Sequence, residues 1–391
     1  MANKPKTNAT AKGKDYFRVR ARIGDDIKGN PIYKNFYGTS KSDAEKKKRE
    51  YLDLLAKGVD PELSKQNLSK AMYTWLWEVE RYNGNKSSTF ERYEIVYRNY
   101  VQNSTIGILV VSDIKKLNIQ QYFNDLLFNQ GKSIAQVTIL KKLLNKFFKY
   151  AVSESYILKN PLDGFRIPKT NEDEIDEEDT VIETLTQDEI KKIIDKAGHS
   201  KIRYLTTFAL LTGARQGEIL ALEKSDLTDD IIRINKTVKK IRIFDNPEEY
   251  HYEIKTTKPK TEKSIREIPI NDALKKELKG LYKLVAEEKL KLGSAYETNN
   301  LLFPSSVGKY ITAKTVYTSW KALLKRAGVD HKKFHALRHT FATTLIMEGV
   351  DILTVSRLLG HGSIETTQIY THILKEKKQD ALSVLNDKFV I

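Results

Sequence analysis

The chain has 391 residues, with 67 Lys and Arg against 51 Asp and Glu, a formal net charge of +16 and a pI near 9.4. Cysteine is absent, which excludes a disulfide scaffold, thiolate metal sites and cysteine nucleophiles. No apolar run reaches the roughly 18 residues of a membrane span, and the polar start MANKPKTNATAKGKDY has no secretory apolar stretch, so a cytoplasmic chain that avoids membranes is expected. At about 100–200 residues per domain the length suggests two or three domains, and excess positive charge points first to nucleic acid.

The first 60 residues carry 15 Lys and Arg against 8 Asp and Glu. Residues 1–14 read as a disordered basic arm. Tyr16–Ile23 then alternates apolar residues with Arg18, Arg20 and Arg22, a period of two that predicts a strand with three arginines on one face. Gly24-Asp25-Asp26 and Lys28-Gly29-Asn30 supply turn chemistry before a second strand over Ile32–Tyr37. Thr39 or Ser40 can cap a charged helix from Lys41 to Ala56, closed by Gly58 and Asp60-Pro61. Such an arginine face is either solvated or made for phosphate and base contact.

Residues 67–160 contain no strand pattern. Apolar spacing predicts four amphipathic helices, over Leu68–Tyr82, Thr89–Val101, Ile114–Phe128 and Val137–Val152. Ser88, Ser112-Asp113 and Ser133 serve as their start signals, and Asn160-Pro161 ends the bundle. Trp75, Trp77, Tyr93, Tyr97, Tyr100, Phe147, Phe148 and Tyr150 read mostly as core. Residues 172–179 hold seven acids in eight positions, a self-repelling block that reads as an exposed linker. The expected domains are therefore 1–62, 67–168 and 185–391, with an acidic linker over 169–184.

The last domain opens on Thr186-Gln187-Asp188-Glu189, a capping box, and runs into a helix through Tyr204–Leu211 that breaks at Thr212-Gly213. A helical turn over Arg215–Leu222 and short strands at Ile231–Ile234, Tyr250–Thr256 and Ile265–Ile270 follow, and the remainder from Asp272 reads as helical. Four segments here carry chemistry. Arg215 follows a glycine break at a helix start, where free N–H groups would help its guanidinium hold an anion. Lys258, Lys260 and Lys263 lie between two strand-like runs, as on a hairpin tip. His335-Ala-Leu-Arg338-His339 places His335 and Arg338 on one helix face and turns His339 away from Arg338. Gly360-His361 is followed by Thr-Thr-Gln-Ile-Tyr370.

Five of the seven histidines lie between 331 and 372, and His335 and His339 have the i, i+4 spacing of a zinc helix. Ala336, however, stands where a metalloprotease helix carries its glutamate, so no metal is expected. There is no G-x-S-x-G and no G-x-x-x-x-G-K-[ST], which disfavours a serine hydrolase and a nucleoside triphosphatase.

The ordered set Arg215, Lys260, His335-Ala-Leu-Arg338-His339, Gly360-His361 and Tyr370 resembles the catalytic signature of tyrosine recombinases, and the resemblance covers the whole chain. It implies a multidomain, mainly α fold with small β-sheets: an arm-binding sheet plus helix like those of phage and conjugative-transposon integrases, a helical core-binding (SAM-like) domain, and an α+β catalytic domain of the tyrosine recombinase and type IB topoisomerase type. It implies site-specific DNA strand exchange by a mobile-element integrase through a 3′-phosphotyrosyl intermediate, without ATP, metal or other cofactor.

In that scheme Arg215 and Arg338 stabilise phosphoryl charge, Tyr370 is the nucleophile, and Lys260 is preferred over Lys258 and Lys263 as general acid. His335 exchanges a proton with the tyrosine and His361 binds a phosphoryl oxygen. Glu218, His339 and His372 are given supporting roles. Arg18, Arg20 and Arg22 would contact arm-type DNA. Double-stranded DNA at core and arm sites, a synaptic homo-tetramer gripping DNA as a C-shaped clamp, an excisionase and host DNA-bending proteins are the implied partners. The apolar stripe Ala381, Leu382, Val384 and Leu385 would dock the tail Ile373–Ile391 on a neighbouring protomer. A topoisomerase using similar residues on one duplex, and a DNA-binding regulator with a decayed site, are the competing readings. The N-terminal sheet argues against the first, and the intact residue set against the second.

Overall fold

A computed structural model describes residues 8–11, 14–84, 86–168, 183–259, 264–360 and 370. Contacts divide the chain into two compact units, Met1–Glu174 and Ile175–Ile391.

The first unit opens with an antiparallel sheet in the order β1 (Ala9–Ala11), β2 (Lys14–Asp25), β3 (Pro31–Gly38). The disordered arm expected over 1–14 is corrected in part, since Ala9 to Ala11 pair with Tyr16 to Lys14 of β2. Asp26 closes the β2–β3 turn by accepting from the N–H groups of Lys28 and Asn30, both at 2.8 Å. Alternation then sets the two faces. Arg18, Arg20 and Arg22 face solvent, opposite Tyr37, Asn35 and Tyr33. On the other face Phe36 meets Tyr51 of α1 (Lys41–Ala56) edge-on at 5.3 Å. Ser40 caps that helix through the N–H of Asp43.

After α2 (Pro61–Ser64), the four predicted helices appear. They are α3 (Leu68–Thr74), which continues as a π-helical stretch to Val79, α4 (Ser87–Tyr100), α5 (Lys116–Asn124), extended in π form to Asn129, and α6 (Ile134–Ser153). Trp75, Phe123, Phe147 and Phe148 fill their core. Ser133 forms the expected start of α6, in a capping box with Gln136. Two other starts are corrected. Ser88 lies inside α4, which begins one residue earlier, and Ser112-Asp113 sits in a 3-10 turn ahead of α5, whose entry is tied by the Asn118 side chain accepting from the Lys115 N–H.

The second unit runs through α7 (Gln187–Ala197), α8 (Lys201–Thr212), α9 (Gln216–Ile219), β4 (Ile231–Ile234), β5 (Thr237–Phe244), β6 (Tyr250–Thr257) and β7 (Arg266–Pro269). It continues with α10 (Asp272–Leu292), α11 (Ala313–Ala327), α12 (Ala336–Met347) and α13 (Ile352–Leu359). Helix α8 is its central element: Ile202, Tyr204, Leu205, Phe208 and Ala209 are all buried, and α10, α11 and α12 pack against it. Strand β4 pairs with β7, while β5, absent from the sequence reading, pairs with β6. Its Lys239-Lys240 pair interrupts the apolar alternation that marks a strand. That pairing corrects the hairpin expected around Lys260. Strands β6 and β7 belong to different sheets, so they do not form a hairpin with each other.

Candidate active site

Two glycine-terminated helix ends and one arginine organise the site. Helix α8 stops at Gly213, whose φ of +61° is the left-handed geometry that only glycine adopts without strain. Helix α13 stops the same way at Gly360, φ +65°. The last carbonyls of a helix lack intrahelical donors and carry the negative end of its dipole. Arg338, in the first turn of α12 and 3% exposed, answers both ends: Nη1 donates to the Gly213 carbonyl and Nη2 to the Leu359 carbonyl, each at 2.8 Å. One buried side chain thus joins the segment leading to Arg215 with the segment leading to Gly360. Its burial and the charges of Arg215 and Arg266 disfavour its protonated form, and Glu218 opposes them.

Arg215 caps α9. Its N–H and Nη1 both donate to the Glu218 carboxylate at 2.9 Å, so a carboxylate already occupies the N–H group that the sequence reading offered to an anion. Half-buried Arg215 keeps its remaining guanidinium edge without a partner among the described residues. Glu218 is 4% exposed and also accepts from Arg266 Nη2 at 2.8 Å. Burial pushes its carboxyl pKa up, but Arg266 and then Arg215 outweigh that and hold it below the ordinary range. Arg266 is locked further by donating to the Leu358 and Ser264 carbonyls. The sequence reading used Arg266 only as a spacing marker. Its buried place on β7, pointing inward with Ile268, is the signal that alternation could have supplied.

His335 stands at the N-cap of α12 with its surface open to solvent. Its ring is nevertheless crowded, and desolvation followed by the charges of His339 and Arg338 takes its pKa down to about 4. Its neighbour is His339, ring to ring at 4.9 Å and perpendicular. Tyr370, 1% exposed, packs among Ala342, Ile346, Val355 and Leu359. Its hydroxyl lies 2.8 Å from Nδ1 of His339, so the histidine at the phenol is His339 and not His335. Burial pushes the phenol up to about 12, with Arg338 pulling the other way. Burial and Arg338 likewise push the pKa of His339 down.

The structure therefore brings together Arg215, His335, Arg338 and Tyr370. Lys260 and His361 lie outside the described residues, as do His372 and the tail 373–391. Arg18, Arg20 and Arg22 belong to the first unit, where Arg20 stacks over Tyr33 at 4.1 Å and Arg22 Nε donates to Asp25 at 3.1 Å. Among the described residues no helix is long and apolar enough to cross a membrane.

Residues 183–377 match the model of the phage integrase family. A protein from Caldanaerobacter subterraneus subsp. tengcongensis described as "Tyrosine recombinase XerC-like" is 41% identical over 393 residues, covering 98% of this chain and 99% of the relative. The chain belongs to the tyrosine recombinase family. This recombinase is accordingly an enzyme of DNA strand exchange in site-specific recombination. Solved structures share its fold. The Tn1549 transposon integrase in complex with transposon right end DNA aligns with a TM-score of 0.63 at 19% identity, over 81% of the recombinase and 99% of that chain. A lambda integrase tetramer bound to a Holliday junction aligns at 0.55 and 20% identity, over 88% and 90%. The family, the mainly helical fold class and the enzymatic activity expected from the sequence are those found.

Proposed function

We propose that this recombinase is the integrase and excision enzyme of a mobile element, cutting and rejoining double-stranded DNA through a 3′-phosphotyrosyl intermediate with Tyr370 as nucleophile. The observation that carries this reading is the double anchor of Arg338 on the carbonyls of Gly213 and Leu359. It gathers Arg215, the His335–His339 turn and Tyr370 around one positive centre, although they lie far apart in sequence. Phosphoryl transfer spreads negative charge over non-bridging oxygens, and two rigid guanidinium forks suit that charge. On the family resemblance, Lys260 is the proposed acid for the departing 5′-oxygen, His361 the partner of a phosphoryl oxygen, and His335 the residue that exchanges a proton with the tyrosine. The chemistry conserves bond energy in the phosphotyrosyl link, so neither ATP nor metal enters the scheme.

Core-type DNA is assigned to the helical bundle and catalytic unit, and arm-type DNA to the sheet segment 1–62. The outward face of β2 and β3, with Arg18, Arg20, Tyr33 and Asn35, supports that assignment. Relatives crystallised as DNA-bound assemblies favour a homo-tetramer in synapsis. A cleft of about 510 Å³ lined by Ile190, Ile194, Leu210, Leu211, Phe341 and Leu345 offers an apolar seat for the tail of a neighbouring copy. An excisionase and host DNA-bending proteins are the further partners of this reading, and its compartment is the bacterial cytoplasm. The test is recombination between two duplexes bearing the element's joined ends and its target, in chelator and without nucleotide. Recombinant product that disappears in Arg215→Ala and Arg338→Ala supports the reading. Product that persists in both variants overturns it.

A further inference from the structure

The partner of the Tyr370 hydroxyl is a histidine to which the family resemblance gives no chemical role. A phenol has one proton to donate, and among the described residues the apolar side chains packed on Tyr370, namely Ala342, Ile346, Val355 and Leu359, offer it no acceptor. Were the hydrogen on Nδ1 of His339, pointing at the phenol oxygen, the phenol's own proton would find no acceptor in that apolar cluster. Buried polar groups are rarely left so. The consistent tautomer carries hydrogen on Nε2 and a lone pair on Nδ1, 2.8 Å from the oxygen that must become nucleophilic. Burial and the adjacent Arg338 keep the imidazole neutral and therefore able to accept. Among the described residues the hydroxyl's hydrogen-bond partner is His339, whereas His335 is exposed and meets the His339 ring at a right angle, 4.9 Å between centroids.

We propose that His339 is a catalytic residue of this recombinase, the base whose Nδ1 takes the phenolic proton when Tyr370 attacks the scissile phosphate. The inference rests on the reading of Tyr370 as nucleophile. In the forward step the Oη–H bond breaks towards Nδ1 and the Oη–P bond forms. The P–O5′ bond breaks with its electron pair on the 5′-oxygen, which is protonated by the general acid assigned to Lys260. In religation a 5′-hydroxyl gives its proton to the now neutral Lys260 as its oxygen attacks phosphorus, the P–Oη bond breaks, and the proton on Nδ1 returns to Oη. His335, crowded by the arginines, is then left for the phosphoryl oxygens.

The test measures single-turnover adduct formation by the full-length protein on a nicked duplex carrying an end of the element. A second duplex has sulfur in place of the 5′-bridging oxygen, a leaving group that needs no acid. His339→Asn keeps an acceptor near the Nδ1 position but no basic lone pair. It is expected to slow adduct formation on the order of 100-fold on both duplexes, in the range of general-base contributions, with DNA affinity unchanged. Lys260→Ala is expected to be slow on the oxygen duplex alone. Added imidazole should restore part of the rate of His339→Ala, an effect that a packing role would not produce. His339→Asn within threefold of wild type, a defect erased by the sulfur substitution, or His339→Ala without imidazole rescue would each overturn the assignment. Tyr370→Phe separates the two readings. If it forms no adduct while His339→Asn reacts normally, only the role of His339 falls. If it still forms an adduct, both fall.

Discussion

Replacing Glu218 by glutamine removes a charge and leaves the shape, and the structure sets what should follow. The carboxylate is the common acceptor for the Arg215 N–H, Arg215 Nη1 and Arg266 Nη2, with Glu218 4% and Arg266 8% exposed. Removing one partner of a buried ion pair costs about 3–5 kcal/mol, because the other charge stays buried. Arg266 retains the Leu358 and Ser264 carbonyls, so the lower end, about 3 kcal/mol, is expected. That corresponds to roughly a 100-fold rise in the opening equilibrium of the catalytic unit. Hydrogen exchange of the slowest amides in α8 reads it directly. Because the folded carboxyl pKa is depressed, this stability is present above the ordinary glutamate range near ~4.3 and lost as pH falls through the lower folded value. Wild type and Glu218→Gln should therefore converge in acid. A difference in exchange below about threefold at neutral pH, where 1.4 kcal/mol is roughly tenfold, would refute the ion-pair account.

Gly213→Ala forces a Cβ to within 2.5 Å of Phe341 Cδ1 and 2.9 Å of Leu359 Cδ2 at a φ of +61°, so the melting temperature should fall by several degrees and strand cleavage with it; an unchanged melting curve contradicts this. The His335 ring should stay neutral through pH 6.5 and titrate near 4, so the stability tied to its neutral form is present above about 6.5 and lost as pH falls through 4. Its Cε1–H resonance, assigned with His335→Gln, checks this, and a midpoint near 6.5 is the contrary result. Arg18→Ala and Arg20→Ala should each weaken arm-type DNA binding and lower its salt slope by about one where the arginine neutralises a phosphate, with cleavage of core DNA intact. Arg22→Ala should do less, because Asp25 already shares that charge. Filter binding over a salt series decides between them.

Local features were legible because local chemistry determines them. Helix α1 begins and ends where Ser40 and the charged-apolar spacing put it, and the helix start at Ser133 and the capping box at Thr186 stand as read. The break at Gly213 was visible too, since glycine just past an apolar helix signals a left-handed stop. What escaped depends on partners distant in sequence. Strand β5 hides behind Lys239-Lys240 and is identified only by pairing with β6. The link carrying Lys260 looked like a hairpin because adjacent strands usually pair, whereas β7 returns to β4. His339 was set aside because one helical step turns it away from Arg338. That same turn faces it towards Tyr370, 31 residues on, which no periodicity can report.

The central claim is that Tyr370 becomes covalently joined to DNA. The most direct measurement mixes purified protein with a nicked duplex carrying an end of the element, in chelator and without nucleotide, and resolves the products on a denaturing gel beside Tyr370→Phe. The account predicts a protein–DNA adduct with the wild type and none with the variant. An adduct that survives in Tyr370→Phe, or none from wild-type protein that binds the same duplex in a salt-sensitive manner, would contradict it.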